Sequence, residues 1–408
     1  MTLTTKLMTA TAIIAATSVS AEDLEVMHWW TSGGEAAAVG ELAKAFDATG
    51  NTWVDAAIAG GDAARAVMVS RLTGGDPMGA FQFNHGRQAE ELIEAGLLRD
   101  ITDIAEAEGW KDIVNPPSLL ESCTVDGRIY CAPVNIHSWQ WLWLSHKAYE
   151  DAGLDVPTNW DEFVASSASL NAAGKLPLAL GQQGWQQRGM FNVLFAALVP
   201  NDVFLAVYDE KDADVAAGAD VSRVFAAAAD ARDMAVKSTV QNWNDATNLV
   251  ITGQAGGQIM GDWAQGEFAV AGQVAGTDYS CLPGLGVTEV LSTGGDAFYF
   301  PVMKDDTKTA AQSELAALML RPATQVSFNL AKGSLPVRGD IDMSTANDCM
   351  QKGLGLLANG AILPDTAQLV TPDTAEQIST LFIEFFADTS ITVEDAQAQF
   401  VKIIATAE

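Results

Sequence analysis

The sequence predicts an α/β protein of two domains. Three observations carry this reading. Strand-like runs alternate with amphipathic helical runs along the first hundred residues, the pattern of a mostly parallel sheet covered on both faces. The chain has 408 residues, long for a single hydrophobic core. The strand–helix rhythm then breaks twice, near Pro133 and again across residues 280–296, which are rich in Gly and Pro.

The first strand is expected at residues 24–28 (Leu-Glu-Val-Met-His). A Thr-Ser-Gly-Gly turn leads into a helix at about 35–46, whose Val39, Leu42, Ala43 and Phe46 fall on one stripe. Residues 52–58 read as the second strand and 63–72 as the second helix. Residues 81–83 read as the third strand and 88–95 as the third helix. After Pro133 comes an aromatic-rich strand at 139–144, then Ser145, His146, Lys147 and a new helix. Beyond the second break, residues 297–302 read as a strand, 310–320 as a helix, and the remainder as largely helical. The most apolar later stretch, 190–199, contains Asn192 and is too short to span a bilayer, which needs about 20 apolar residues. It reads as a buried helix.

The N-terminus has the form of an export signal. Lys6 supplies a positive start, residues 7–16 form a short apolar core, and Val19-Ser20-Ala21 is a small-residue cleavage pattern. Cleavage after Ala21 would leave 387 residues beginning at Glu22. No cysteine stands at that point to take a lipid. The expectation is a freely soluble protein outside the cytoplasm.

The formal charge is −30. Such a surface repels nucleic acid and anionic lipid. The four cysteines, Cys123, Cys131, Cys281 and Cys349, suit disulfides after export. Cys123 and Cys131 flank an Asp126-Gly127 turn signal, so a local hairpin staple is expected, with Cys281–Cys349 closing a much longer loop. Sequence leaves all three connectivities open. No metal-ligand spacing of Cys or His is present, and no cofactor motif.

Several weak signatures follow one another in order. Trp29-Trp30 with Gly33-Gly34-Glu35 opens the chain. Gly75-Asp76-Pro77, the run from Tyr130 to Pro133, and Pro157-Thr158-Asn159-Trp160-Asp161-Glu162-Phe163 come next. Gly261-Asp262-Trp263 and Gly333-Ser334-Leu335-Pro336-Val337-Arg338 complete the set. In order and spacing the chain resembles the extracellular sugar-binding proteins of bacterial ABC importers, solute-binding protein family 1, and within them the glucose-type branch. The resemblance implies a two-lobed periplasmic-binding-protein fold (type II) with a ligand cleft between lobes that close on a sugar and dock on a membrane permease. It places one lobe at residues 22–133 with about 282–322, and the other at 134–281 with about 323–408. A soluble periplasmic monomer without cofactor is expected.

Sugar recognition needs aromatic faces for the C–H faces of the ring and planar polar groups for its hydroxyls. The chain has 11 tryptophans and 5 tyrosines. Trp29 and Trp30 end the first strand, at the edge where open α/β sheets meet ligands. Ser32 to Glu35 matches a capping box, whereas the resemblance puts the Glu35 carboxylate on sugar hydroxyls. Gln82 and Asn84 follow the third strand. Trp185, Asp262, Trp263 and Asp296 lie in later glycine-flanked segments. Lys332 matches a family lysine that binds hydroxyls. Two departures stand out. Asn84 occupies the neighbourhood of a family lysine, and the family's C-terminal histidine has no counterpart, because the four histidines end at His146. His85 is a candidate replacement. Losing two donors could move preference from glucose or a close hexose to a disaccharide or other glucoside. Two further readings are a secreted carbohydrate-active enzyme, for which no carboxylate pair or nucleophile motif stands out, and a solute sensor acting through a membrane receptor.

Overall fold

The computed structural model describes residues 22–408. The export-signal expectation falls on residues 1–21, outside the described residues. Two main sheets are built from nine strands: β1 (Asp23–His28), β2 (Thr52–Ala57), β3 (Ala80–Asn84), β4 (Cys131–Pro133), β5 (Trp141–Ser145), β6 (Leu176–Leu178), β7 (Ala255–Met260), β8 (Tyr279–Pro283) and β9 (Asp296–Tyr299).

The first sheet has the order β2-β1-β3-β9-β4, and the second the order β8-β5-β7-β6. In the first, β1 pairs in parallel with β2 and β3, and β9 runs antiparallel between β3 and β4. In the second, only β6 with β7 is parallel; β8–β5 and β5–β7 are antiparallel. Both sheets are therefore mixed, which corrects the mostly parallel sheets expected. The cause is topological. β9 enters the first sheet only after the chain has built the second, and comes back in the reverse direction.

Both sheets are covered on both faces, as expected. In β5, Leu142 and Leu144 face a core containing Phe191 and Phe195, while Trp141 and Trp143 face another containing Phe268 and Tyr279. In β1, Leu24 and Val26 face Phe46 and Phe298, and Met27 faces Phe81 and Tyr299. This is strand alternation with both sides buried. Each fully buried side chain of this size contributes about 1.5–3 kcal/mol. The apolar run beginning at Met190 lies in the helix Gly184–Leu198, and no described helix is long and apolar enough to cross a membrane.

The chain passes between the sheets at residues 134–140 and 284–295, and a later pass near Leu335 lies beside the first. Ile136 and Leu335 form a β-bridge with both backbone bonds made, at 2.7 and 3.0 Å. Asn135 joins all three passes: its Nδ2 donates to Asp296 Oδ2 at 3.0 Å and to Ser334 Oγ at 3.2 Å. The helix Pro322–Lys332 lies against the helix Gly33–Asp47 and puts Phe328 into the first sheet's core with Trp30. Residues 323–332 therefore pack on the first lobe, not with the second as the boundary near 322 anticipated.

The disulfides are Cys123–Cys131 and Cys281–Cys349. The first staples a short antiparallel hairpin, 124–125 with 128–129, whose turn residues Asp126 and Gly127 both have positive φ, as a two-residue hairpin turn requires.

A candidate ligand-binding cleft

A cavity of about 310 Å³ lies between the two sheets' ends. Its position follows from strand direction. β1 and β3 deliver Trp29, Trp30 and Asn84 at their C-terminal ends. Antiparallel β9 begins at the same edge, with Asp296 opposite Asn84. From the other side β7 ends at Met260, shortly before Trp263.

Six of the eleven tryptophans line the cavity: Trp29, Trp30, Trp139, Trp185, Trp243 and Trp263. They brace one another edge-to-face. Trp263 meets Trp139 at 4.9 Å and Trp243 at 6.4 Å between ring centres, and Trp139 meets Trp185 at 5.8 Å. Such pairs fix ring orientation. Trp30 is 1 % exposed and packs on Phe298 and Phe328, so it offers the cavity little more than an edge.

Glu35 closes its helix cap and also faces the cavity. Ser32 caps the helix Gly33–Asp47 and the capping box is complete. Glu35 Oε2 accepts from Ser32 Oγ at 3.1 Å, and Oε1 faces Lys332 Nζ at 3.4 Å. Both residues line the cavity. Lys332 Nζ also lies 5.4 Å from the Trp30 ring centre and 5.8 Å from that of Trp263.

Asp296 is held by three side chains. Gln82 Nε2 donates to Oδ1 at 2.7 Å, Asn135 Nδ2 donates to Oδ2, and His137 Nδ1 lies 3.3 Å from Oδ2. Burial pushes the Asp296 carboxyl up, but His137, Lys332 and the Asn135 bond outweigh it and hold it at about 2. Burial likewise disfavours charge on His137, yet Asp296 raises its pKa above the ordinary imidazole value. At this point of the wall His137 and Asp296 each favour the charged form of the other.

Gln82 and Asp262, expected at the ligand, are not among the residues lining the cavity. Gln82 is fully buried, and its Oε1 accepts from the Trp29 N–H at 3.1 Å while its amide holds Asp296. It positions two lining residues. Asp262 points to the crossing segment instead. Its Oδ2 accepts from the backbone N–H and hydroxyl of Ser138, both at 2.9 Å, and Oδ1 is buried without a partner. Burial raises its carboxyl to about 7. His85 is also behind the wall, bonded to Ser122 and Gln368, and burial holds its pKa at about 3. The histidine that reaches the cavity is His137. Asn84 does line it, with Oδ1 buried and unpartnered. Among the described residues no group of three His, Cys, Asp or Glu is placed to hold a metal ion.

The sequence matches a family model described as bacterial extracellular solute-binding protein over residues 30–326. The chain belongs to this family. Like it is a "probable sugar-binding periplasmic protein" of Rhizobium meliloti, 35% identical over 361 residues that span 86% of each chain. Among solved structures, the bacterial solute receptor AcbH, described with an exclusive preference for β-D-galactopyranose, superposes with a TM-score of 0.78 at 18% identity. The match covers 94% of this chain and 98% of the other. A chitin oligosaccharide binding protein superposes with a TM-score of 0.77 at 18% identity, covering 94% and 98%. These structures establish the two-lobed solute-binding fold.

In this solute-binding protein, sequence reasoning passed over His137, Trp139, Trp243, Arg65 and Arg188, all of which line the cavity. Trp139 and His137 sit in the crossing segment, where no periodic pattern marks direction. Position beside the Pro133 crossing was the signal available for both. For Arg65 and Arg188, each on an otherwise ordinary helix, there was none.

Proposed function

We propose that this protein captures a small sugar, of which glucose or a close hexose is the first choice, in the cavity between its lobes and presents it to an ABC-type importer in the periplasm. The observation that carries the reading is the pairing of wall chemistries. Tryptophan faces stand beside charged, preorganised polar groups: Glu35 with Lys332, and Asp296 with His137. Aromatic faces take the ring's C–H surface, and fixed carboxylates and cations take its hydroxyls with charge-assisted bonds. The volume of about 310 Å³ is at the small end of the ~300–1,000 Å³ typical of such sites. The similarity to a probable sugar-binding periplasmic protein supports the same ligand class and compartment.

In this reading Trp29, Trp185 and Trp263 stack, while Glu35, Asn84, Asp296 and Lys332 hydrogen-bond the sugar, and the protein works as a monomer without turning its ligand over. The lobes divide near residues 133 and 282, with Pro322–Lys332 riding on the first. A disaccharide is the second reading, favoured by the aromatic walls of Trp139 and Trp243, which extend the cavity beyond Trp263.

A thermal-shift screen of ligand-stripped protein against hexoses and disaccharides tests this. A true ligand at a hundred times its Kd stabilises by about 2.7 kcal/mol and is recovered unchanged. Recovery of hydrolysed sugar would place the protein among enzymes, and no shift with any sugar would remove the reading.

A further inference from the structure

One cation on the cavity wall, Arg188, touches no carboxylate among the described residues. Glu35 faces Lys332, Asp296 faces His137, and Asp62 pairs with Arg65. Arg188 has no carboxylate within the 4.0 Å of an ion pair among the described residues. Its Nη1 donates to Ala375 O at 2.8 Å and to Ser379 Oγ at 2.9 Å. Those bonds fix the guanidinium plane. Nε and Nη2 make no protein hydrogen bond and are not sealed from the cavity. The remaining acid on this side, Asp365, is already committed: Oδ1 accepts from the Ala367 N–H at 2.8 Å and Oδ2 from Ser292 Oγ at 3.2 Å.

Arg65 faces the same space from the other side of the cleft, on the helix Gly61–Gly74, with its guanidinium 5.7 Å from the Trp29 ring centre. Burial, and next the charge of Arg65, lower the pKa of Arg188, while Asp365 and Asp62 act in the opposite direction. Two guanidinium groups thus repel across the cleft in a protein whose formal charge is −30. An anion between them relieves that repulsion, and the free Nε–Nη2 edge of Arg188 fits a carboxylate in a two-bond fork.

We propose that the cleft is built for a sugar bearing one carboxylate, a uronic or aldonic acid, with Arg188 as its main partner and Arg65 as its second. The proposal rests on the sugar reading above and adds the oxidation state of one carbon. A carboxylate is favoured over a phosphate because the free Nε–Nη2 edge of Arg188 offers one two-bond fork, while Asp62 and Asp365 already place negative charge nearby. A dianion would sit uncompensated near Asp62 and Asp365.

The test is calorimetry on ligand-stripped, otherwise native protein at pH 7, comparing glucuronate, galacturonate and gluconate with glucose and galactose. At low salt at least one acid should bind ~10-fold or more tightly than its neutral parent, the scale of a charge-assisted bond. Arg188→Gln should shrink that ratio to ~3-fold or less, and Arg65→Gln should shrink it less. Should Arg188→Gln fail to fold, salt titration of the native protein decides, because only the acid's affinity should fall as ionic strength rises. Neutral hexoses binding as tightly as their acids would overturn the proposal while leaving the sugar reading standing. A preference for acids that survives both Arg188→Gln and high salt would also overturn it. Failure of every sugar, acid or neutral, would remove both readings.

Discussion

Glu35 uses one carboxylate to close a helix cap and to face a buried lysine. Gln at the same position also closes a capping box, so Glu35→Gln removes charge while keeping the cap. Sugar affinity should fall by about 1–3 kcal/mol, the scale of a charged hydrogen bond. Melting should also drop, because Lys332 is left buried opposite a neutral amide. Adding Lys332→Met should restore melting but not binding; calorimetry that finds native affinity in Glu35→Gln would remove the carboxylate from the ligand contacts. Asp262 makes a pH prediction. Its folded pKa of about 7 is raised by burial above an unfolded value near ~4. Its stabilisation is complete below about pH 4 and is lost as pH rises through 7. Asp296, held at about 2, titrates below this window. His137, its pKa raised above 6.5, loses its own contribution only at higher pH. His85, held at about 3 by burial, contributes the opposite slope between about pH 3 and 6.5, so the two largely offset in the native protein, and Asp262→Asn should make the melting of ligand-free protein rise with pH between about 4 and 6.5. An equal slope in the mutant would contradict the assignment. At this scale, what was legible was local chemistry. The Ser32-to-Glu35 spacing announces the cap, and Trp29 and Asn84 stand at strand ends. The bonds of Gln82 and Asp262 were not legible because their partners, Asp296 and Ser138, are 214 and 124 residues away.

Helix contacts explain why the cleft keeps its shape. The helix Gly33–Asp47 meets the helix Ala264–Val270 with almost no side chain between them. A Cβ on Gly34 would come within 2.5 Å of the Gly266 backbone, and Glu267 Oε1 accepts from the Gly34 N–H at 2.7 Å. Gly34→Ala should push the two helices apart, costing about 1–3 kcal/mol of stability, and should weaken sugar binding because Glu35 moves with its helix. A mutant of native stability and affinity would show that this contact does not set the cleft. The disulfides act at the same scale. Alkylation without reduction should label none of the four cysteines. Replacing Cys281 and Cys349 by Ala should cost about 2–4 kcal/mol, since that bond closes the longer loop, its ends 68 positions apart in sequence. Of the elements, those before residue 100 were legible because each strand is followed by its own amphipathic helix. The parallel pairing expected later failed because β9 joins a sheet begun more than 200 residues earlier, and strand direction across such a gap leaves no local signal.

At the scale of the molecule, two sheets with separate cores meet at three neighbouring passes of the chain, bound together by Asn135, Asp296 and Ser334. The two-domain division followed from length and from the breaks at Pro133 and 280–296. The position of the helix Pro322–Lys332 on the first sheet did not, since its amphipathic face fits either core. The cavity draws Trp29, Glu35 and Asn84 from one side and Trp185 and Trp263 from the other. A sugar that touches both sides only when they are together must favour the closed arrangement by that differential contact. Trp263→Ala should therefore both weaken binding and leave the molecule less closed at saturation. The direct test of the whole account is small-angle scattering of native protein, shown beforehand to be ligand-free, titrated with the sugar that shifts its melting most. The radius of gyration should fall on saturation, and an unchanged radius at full occupancy would contradict a cleft that closes on its ligand.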